Sequence, residues 1–133
     1  MILLIIFVLC LTSCKRESSI NGNYSTCFNG LYAELYMKND SMRVATSMDW
    51  ISNSRKYIIK KDSIFHLLLG NSRDSIKGKI NFIDNDEFEI HYSNDSIIYS
   101  FYRIKERIIN WEKDYAEFWN TFIDRKISFG CFY

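Results

Sequence analysis

The sequence predicts a mainly β domain: an antiparallel meander or small barrel of about eight strands, with one amphipathic helix near the C-terminus. Aromatic residues make up 17% of the 133 residues, with 10 Phe and 9 Tyr, and these residues favour pleated, half-buried surfaces. A turn-forming tetrad recurs along the chain, and polar and apolar residues alternate between its copies. A chain of this length holds one domain.

The recurring tetrad predicts where strands begin. There is no proline and there are only 5 glycines, so Asn, Asp and Ser must form the turns. The acidic residues are single and far apart, which differs from the Asp-x-Asp-x-Asp-Gly spacing of a calcium loop, so we predict no metal site in these turns. The four copies are Asn39–Met42, Lys61–Ile64, Arg73–Ile76 and Asn94–Ile97.

Alternation between these turns predicts the strands. In Leu31–Met37 the odd-numbered residues are apolar and share one face, while Tyr32, Glu34 and Tyr36 share the other. Ile97–Ile104 is apolar on both faces, which predicts a strand covered on both sides. The other predicted strands are Asn21–Phe28, Met42–Thr46, Lys56–Lys61, Ile64–Leu69, Ile76–Phe82 and Phe88–Tyr92, with a short terminal strand at Ile127–Tyr133 and a loop or short helix at Met48–Ser54.

The same alternation predicts the register of one hairpin. A turn at Asp84–Asp86 would pair Phe82 with Phe88 and place Tyr92 opposite Gly78. A slip of one residue would turn charged side chains into the core, so this register is well specified.

The spacing of apolar residues changes from two to three or four at Lys105. This period predicts an amphipathic helix over roughly Lys105–Asp124, whose aromatic stripe packs on the sheet. A helix on a membrane surface is the alternative, although its polar face is acidic as often as basic. The stripe consists of Ile108, Trp111, Tyr115, Phe118, Trp119 and Phe122.

The N-terminus has the features of a lipoprotein signal peptide. Ile2–Leu11 is an uninterrupted apolar run, as long as a secretory h-region and about half of a membrane-spanning helix. The next residues complete the motif Leu11-Thr12-Ser13-Cys14, which resembles the lipobox of bacterial lipoproteins. The resemblance implies that a peptidase removes residues 1–13, that the Cys14 thiol receives a diacylglycerol, and that acyl chains then hold the protein to a membrane. No Lys or Arg precedes the apolar run, and an ordinary signal peptide or a buried N-terminal strand is the alternative.

This interpretation divides the chain into a signal peptide (1–13), a lipidated Cys14 with its tether (14–21), and one β-rich domain (22–133). The tether residues Lys15–Ser19 lean basic, whereas lipoproteins on the outer surface of some Gram-negative bacteria often carry acidic residues there. We therefore expect an exported protein anchored to an envelope membrane, with the periplasmic face of the outer membrane favoured over the cell surface.

Two cysteines remain in the mature domain, Cys27 and Cys131. An even number of cysteines in an exported domain favours a disulfide. Two unconnected buried thiols are the alternative.

Some eight short antiparallel strands followed by a helix resemble the small lipocalin-like barrels found in many bacterial lipoproteins. The Gly-x-Trp start of true lipocalins is missing, and Gly22-Asn23-Tyr24 corresponds to it only loosely. An open, strongly curved sheet clasping the helix is the alternative.

The sequence predicts no catalytic residue, metal site or cofactor, and hence no enzyme. His66 and His91 each lie within a predicted strand. His91 shares a face with Glu87 and Glu89, and such a strip can bind zinc or transfer protons, but a solvated strand face opposite lysines is the simpler interpretation. The net charge of +1 shows no basic face, so nucleic acid is not an expected partner.

Aromatic residues form the remaining candidate site. We predict a binding surface that includes Tyr32, Tyr36, Trp50 and Tyr57, with simple cross-strand pairing as the alternative. The hypothesis that follows is a lipid-anchored, non-enzymatic binding module for another protein, similar in style to periplasmic inhibitors and immunity proteins. The alternative is a lipocalin-like carrier, which would require an apolar cavity of several hundred cubic ångströms.

Overall fold

The computed structural model describes residues 20–67, 75–92 and 96–132. The predicted signal peptide and Cys14 lie outside these residues, as do the predicted turns at 73–74 and 94–95 and the end of the predicted strand at Leu68–Leu69.

Nine strands of the described residues form one antiparallel sheet that closes into a barrel. Strands β1 and β2 pair with each other, and their outer edges pair with β9 and β3, which completes the ring. Strands β4 and β5 pair with the same edge of β3 at its two ends, so they share one of eight places in the ring. The strands are β1 Gly22–Phe28, β2 Leu31–Lys38, β3 Ser41–Thr46, β4 Trp50–Ile51, β5 Arg55–Lys60, β6 Ser63–Leu67, β7 Ser75–Phe82, β8 Glu87–Tyr92 and β9 Ile98–Arg103. The predicted mainly β barrel with one C-terminal helix is thereby confirmed.

The tetrads open strands in the predicted way. Strands β3 and β6 begin at the serines of their tetrads, Ser41 and Ser63. The first residues of these two tetrads adopt a left-handed backbone, with φ of 59° at Asn39 and 57° at Lys61. The reversal therefore occurs before the Asp, and it is tolerated even at a lysine.

The predicted hairpin register is confirmed. Phe82 pairs with Phe88, and Gly78 pairs with Tyr92. A Cβ atom at Gly78 would lie 2.7 Å from Ile90 Cγ2 and 3.1 Å from the Tyr92 ring. Glycine is therefore required at this point, because the neighbouring side chains occupy the space that a methyl group would need.

Helix α1 spans Tyr115–Phe129, so the predicted start at Lys105 is wrong. The Asp114 carboxylate accepts a hydrogen bond from the Glu117 backbone N–H (3.1 Å), which caps the helix at that point. Just upstream, the Asn110 carbonyl accepts from the backbone N–H groups of residues 113 and 114, so the chain forms a turn there. The apolar period begins earlier than the helix because the preceding loop packs against the same surface.

The predicted helix end at Asp124 and the predicted strand at Ile127–Tyr133 are also wrong. Gly130 adopts φ of 79°, and its N–H donates to the Ile127 and Lys126 carbonyls. This is a left-handed C-cap, for which glycine is the preferred residue. Residues 127–129 therefore form the last turn of α1.

Two further expectations are corrected. The segment predicted as a loop or short helix, Met48–Ser54, contains strand β4, whose two residues pair with Ala45 and Thr46. Strand β9 is not covered on both sides, since Ile98 is 50% exposed and Tyr102 is 41% exposed on its outward face. The helix covers other strands and meets β9 only near Tyr102.

Hydrophobic side chains form two separate clusters, on the inner and outer sides of the sheet. The inner core fills the barrel with Ile20, Tyr24, Leu35, Met37, Met42, Tyr57, Ile59, Ile64, Ile80, Phe88, Ile90 and Phe101. The outer core lies between α1 and the outward faces of β1–β3, and consists of Tyr32, Ala45, Phe118, Phe122 and Cys131, with partly buried neighbours that include Cys27, Tyr36, Ile51, Trp111, Trp119 and Phe129. Within the described part of the chain, no helix is both long and apolar enough to cross a bilayer.

Candidate functional site

A buried charged cluster lies in the outer core. The Glu34 side chain is fully buried and that of Arg125 is 9% exposed. Arg125 donates from Nε to Glu34 Oε1 (2.7 Å) and from Nη2 to Oε2 (3.0 Å). Tyr32 Oη donates to Oε1 (2.8 Å) and Tyr36 Oη donates to Oε2 (2.5 Å). We call Glu34, Arg125, Tyr32 and Tyr36 the Glu34 cluster; its carboxylate accepts four hydrogen bonds.

Local structure explains why these groups meet. Alternation along β2 points Tyr32, Glu34 and Tyr36 outward together. Arg125 lies one helical turn beyond Phe122 on the face of α1 that packs on the sheet. Glu34 thus accepts the hydrogen bonds of the Arg125 guanidinium, which α1 places in the outer core.

The environment of the Glu34 cluster shifts the pKa of its donors. Burial, together with the Glu34 charge, raises the pKa of the Tyr32 and Tyr36 hydroxyls well above their usual value of 10. Burial alone would lower the pKa of Arg125, but hydrogen bonds and Coulombic attraction to Glu34 outweigh it and raise the pKa. The tyrosines stay neutral and the arginine stays charged, as a structural cluster requires.

A second polar group lies inside the barrel. His66 is 6% exposed. Its Nδ1 lies 3.0 Å from Met42 Sδ, and its Nε2 lies 2.9 Å from Tyr92 Oη. Burial, with a smaller contribution from the nearby Arg55 charge, lowers the pKa of His66 to about 4. Burial also raises the pKa of Tyr92 to about 12, so both groups are neutral at physiological pH.

Cys27 and Cys131, the two cysteines within the described residues, are joined. Cys27 on β1 and Cys131, just after α1, form a disulfide with a Cα–Cα distance of 5.7 Å. The bond closes a loop of 104 residues and fixes the end of the helix to the outer face of the barrel. The alternative of two unconnected thiols does not hold in this structure.

The predicted aromatic binding surface is wrong for Tyr32 and Tyr57, which are buried. Tyr32 is 1% exposed beneath α1, and Tyr36 is partly buried against Trp111, with ring centroids 5.6 Å apart. Tyr57 points into the barrel and is 2% exposed. Trp50, at 50% exposure, lies on the surface. Alternation identified the two faces of each strand, but it did not show that the helix covers the outward one.

Tyr57 instead closes one end of the barrel. Its hydroxyl lies 2.6 Å from the Ile20 carbonyl and 2.7 Å from the Asn39 carbonyl, and its one proton can be donated to either. The contact ties the point where the chain enters the fold to the β2–β3 turn. We call this end of the barrel, formed also by the β5–β6 and β7–β8 turns, the Ile20 end.

The Glu-x-Glu-x-His strip lies on an outward face. His91 Nε2 is 3.6 Å from Glu89 Oε2, and the His91 side chain is 42% exposed. Lys79 pairs with His91 across the sheet. Among the residues that the structure describes, no three His, Cys, Asp or Glu side chains are grouped so that they could hold a metal ion.

Several large apolar side chains are exposed, and those on the helix follow one line. Tyr115, Ile123 and Ile127 are 58%, 49% and 55% exposed and lie at multiples of four residues, with the partly buried Trp119 between them. This spacing places them along one side of the helix. We call Tyr115, Ile123 and Ile127 the outer helix face. The spacing of apolar residues in the sequence places Tyr115 in the packed stripe, whereas it is exposed. The predicted helix end at Asp124 also leaves Ile127 outside the helix, whereas α1 includes it.

The Glu34 cluster was not predicted from the sequence. Glu34 and Arg125 are 91 residues apart, and the predicted helix stopped one residue before the arginine. The available signal was a glutamate placed between two tyrosines on one strand face, which is an unusual position for a charge beneath an aromatic helix stripe.

In comparisons with protein-family models, curated proteins and solved structures, the chain matches none.

Proposed function

We propose that the chain is a lipid-anchored envelope lipoprotein whose barrel serves as a non-enzymatic binding module for another protein. The observation that carries the proposal is the Cys27–Cys131 disulfide. Such bonds form and persist in exported proteins and are rare in the cytosol. The disulfide therefore supports export, which is the condition for modification of Cys14 in the lipobox.

The outer helix face supports binding of a protein. A surface helix usually directs charged and polar side chains to solvent, whereas Tyr115, Ile123 and Ile127 direct apolar ones. Contiguous exposed apolar side chains commonly mark interaction sites. A partner with an apolar surface of its own would remove these three side chains from water.

The buried titratable groups support a role without catalysis. Glu34 is saturated by Arg125 and two tyrosine hydroxyls, and it is fully buried. His66 is held between Met42 and Tyr92 and is neutral. Groups that satisfy one another in the interior stabilise a fold, and a substrate would have to displace a partner to reach them.

Packing inside the barrel favours the protein-binding role over the carrier. Phe88 contacts Tyr24 and Phe101, with ring centroids 4.8 Å and 5.0 Å away. Ile80 and Ile90 are buried beside them. These side chains occupy the part of the interior, near the Ile20 end, that an apolar ligand would need.

Site-specific photocrosslinking tests the proposal. A benzophenone amino acid at Ile123 should give a discrete adduct in intact envelopes, and the same group at exposed Lys79 on β7 should not. The partner, identified by mass spectrometry and purified, should then bind the Ile123→Asp/Ile127→Asp variant at least about tenfold more weakly than wild type, because the interface would have to bury two unpaired carboxylates in place of two apolar side chains. The Lys79→Asp variant should bind normally. Equal binding by both variants would remove the outer helix face from the proposal.

A further inference from the structure

We infer that the Ile20 end of the barrel rests on the bilayer, and that the β7–β8 turn inserts the side chains of Phe82 and Ile83 among the lipids. The inference rests on the proposed function, because it needs the lipid at Cys14. It specifies which end of the barrel faces the membrane and which residues contact it.

The first step is the reach of the tether. Six residue steps separate Cys14 from Ile20. A fully extended chain spans at most ~3.6 Å per residue, so the backbone of Ile20 lies within about 22 Å of the backbone of the lipidated Cys14. Ile20 itself is 5% exposed and fixed to the barrel through Tyr57. The Ile20 end is therefore the part of the fold that the anchor holds nearest to the membrane.

The second step is what lies beside Ile20. Phe82 and Ile83 are consecutive residues at the β7–β8 turn, 50% and 49% exposed. Ile20 and Phe82 line the same open depression of about 360 Å³, together with Tyr24 and Phe88. Two neighbouring half-exposed apolar side chains are unfavourable in water and favourable in hydrocarbon. They are placed where the tether brings lipid within reach.

The third step is charge. Within the β7–β8 turn, Asp86 forms ion pairs of 3.1 Å with both Arg103 and Lys105, and these contacts lower the pKa of its carboxyl. Asp84 accepts a hydrogen bond from the Asp86 backbone N–H (2.7 Å). The Asp86 carboxylate is therefore paired within the protein, so apolar contact of this turn with an uncharged bilayer meets no unpaired charge at Asp86.

The fourth step separates this end from the rest of the molecule. Met48 is 68% exposed in the β3–β4 turn at the opposite end of the barrel. Its side chain is as apolar as those of the β7–β8 turn, but the tether does not reach it. Met48 and the β7–β8 turn are both exposed and apolar, so what separates them is their distance from the anchor.

Fluorescence quenching by lipids tests the inference. The full-length protein, processed and lipidated in cells, is reconstituted into phosphatidylcholine vesicles that contain spin-labelled lipid. The variants Ile83→Cys, Asn85→Cys and Met48→Cys each add one free thiol, which is labelled with a small fluorophore. We expect several-fold stronger quenching at residue 83 than at residue 48, and intermediate quenching at residue 85.

Two outcomes would overturn the inference, and they differ in meaning. If the protein floats with the vesicles but residues 83 and 85 are quenched no more than residue 48, the inference is wrong and the lipoprotein proposal stands. If the wild-type protein lacks lipid at Cys14 and does not float, the proposed function and the inference both fail. Circular dichroism of each labelled variant establishes that the barrel is folded, and the two positions in the turn keep the test valid if one substitution disrupts folding.

Discussion

Replacing Arg125 with methionine isolates the buried charge pair that joins the helix to the barrel. The substitution removes both arginine hydrogen bonds, of 2.7 Å and 3.0 Å, while keeping an unbranched side chain of similar length. Glu34, which is fully buried, would retain only the Tyr32 and Tyr36 hydroxyls as donors.

The expected cost follows from the burial of the two partners. Breaking a buried pair by removing one partner typically costs ~3–5 kcal/mol, because a charge is left in a medium that solvates it poorly. The Arg125→Met variant should lose stability in this range. The Glu34→Met/Arg125→Met variant should be more stable than Arg125→Met alone, because no buried charge remains and replacing both partners of a buried pair by apolar side chains is often close to neutral.

Urea unfolding of the oxidised protein, followed by tryptophan fluorescence, measures these differences. Arg107→Met is the matched control, because Arg107 is exposed and its loss should change the free energy of unfolding by less than ~0.5 kcal/mol. A cost below ~1 kcal/mol for Arg125→Met, with an unchanged dependence on urea, would refute the assigned role of the Glu34 cluster.

Three further predictions follow from the structure. Replacing Cys27 and Cys131 with alanine should lower the free energy of unfolding by about 4–5 kcal/mol in the chain-entropy model, since the disulfide closes 104 residues, and a change below ~1 kcal/mol in urea titrations would contradict this. Burial holds the pKa of His66 at about 4, so the unfolded chain binds a proton first as the pH falls from 6.5, and stability should drop by up to ~3 kcal/mol by pH 4. The free energy of unfolding measured across this pH range should depend less on pH in the His66→Gln variant than in wild type. In the control His91→Gln, whose side chain lies on the outward face, the pH dependence should equal that of wild type. Gly78→Ala should lower the free energy of unfolding by ~1–3 kcal/mol, because a Cβ atom there has no space beside Ile90 and Tyr92. An unchanged midpoint of thermal unfolding would show that β7 and β8 can move apart without penalty.

Local patterns in the sequence predict most strands of the sheet. The alternation in β7 and β8, with the turn at Asp84–Asp86, predicts the pairing of Phe82 with Phe88, since a slip of one residue would expose apolar residues and bury charges. The repeated tetrads locate the starts of β3 and β6 for a similarly local reason: Asp and Ser bond to nearby backbone amides.

The helix boundaries show where local patterns fail. Ile108 and Trp111 continue the apolar period of α1, yet they precede the Asp114 cap and pack on the outer core from a loop. Periodicity reports which residues are buried, and it does not distinguish a helix from a loop that covers the same surface.

The burial of the tyrosines could not be predicted because it depends on contacts far apart in the chain. Tyr32 and Tyr36 are covered by a helix whose Arg125 binds Glu34 across 91 residues. The sequence predicts Tyr57 on the surface, because it does not indicate which face of β5 turns into the barrel. The residues that remain exposed on the outer helix face can be recognised only once the packed face of α1 is known.

The mass of the mature chain tests the central claim most directly. We expect intact mass spectrometry of the non-reduced protein from the membrane fraction to show a chain that begins at Cys14 and carries a diacylglycerol and added acyl groups. This chain should be two hydrogen atoms lighter than the reduced form because of the Cys27–Cys131 bond. A soluble, unmodified chain that still begins at Met1 and has all 4 of its cysteines free would contradict export, anchoring and the proposed function together.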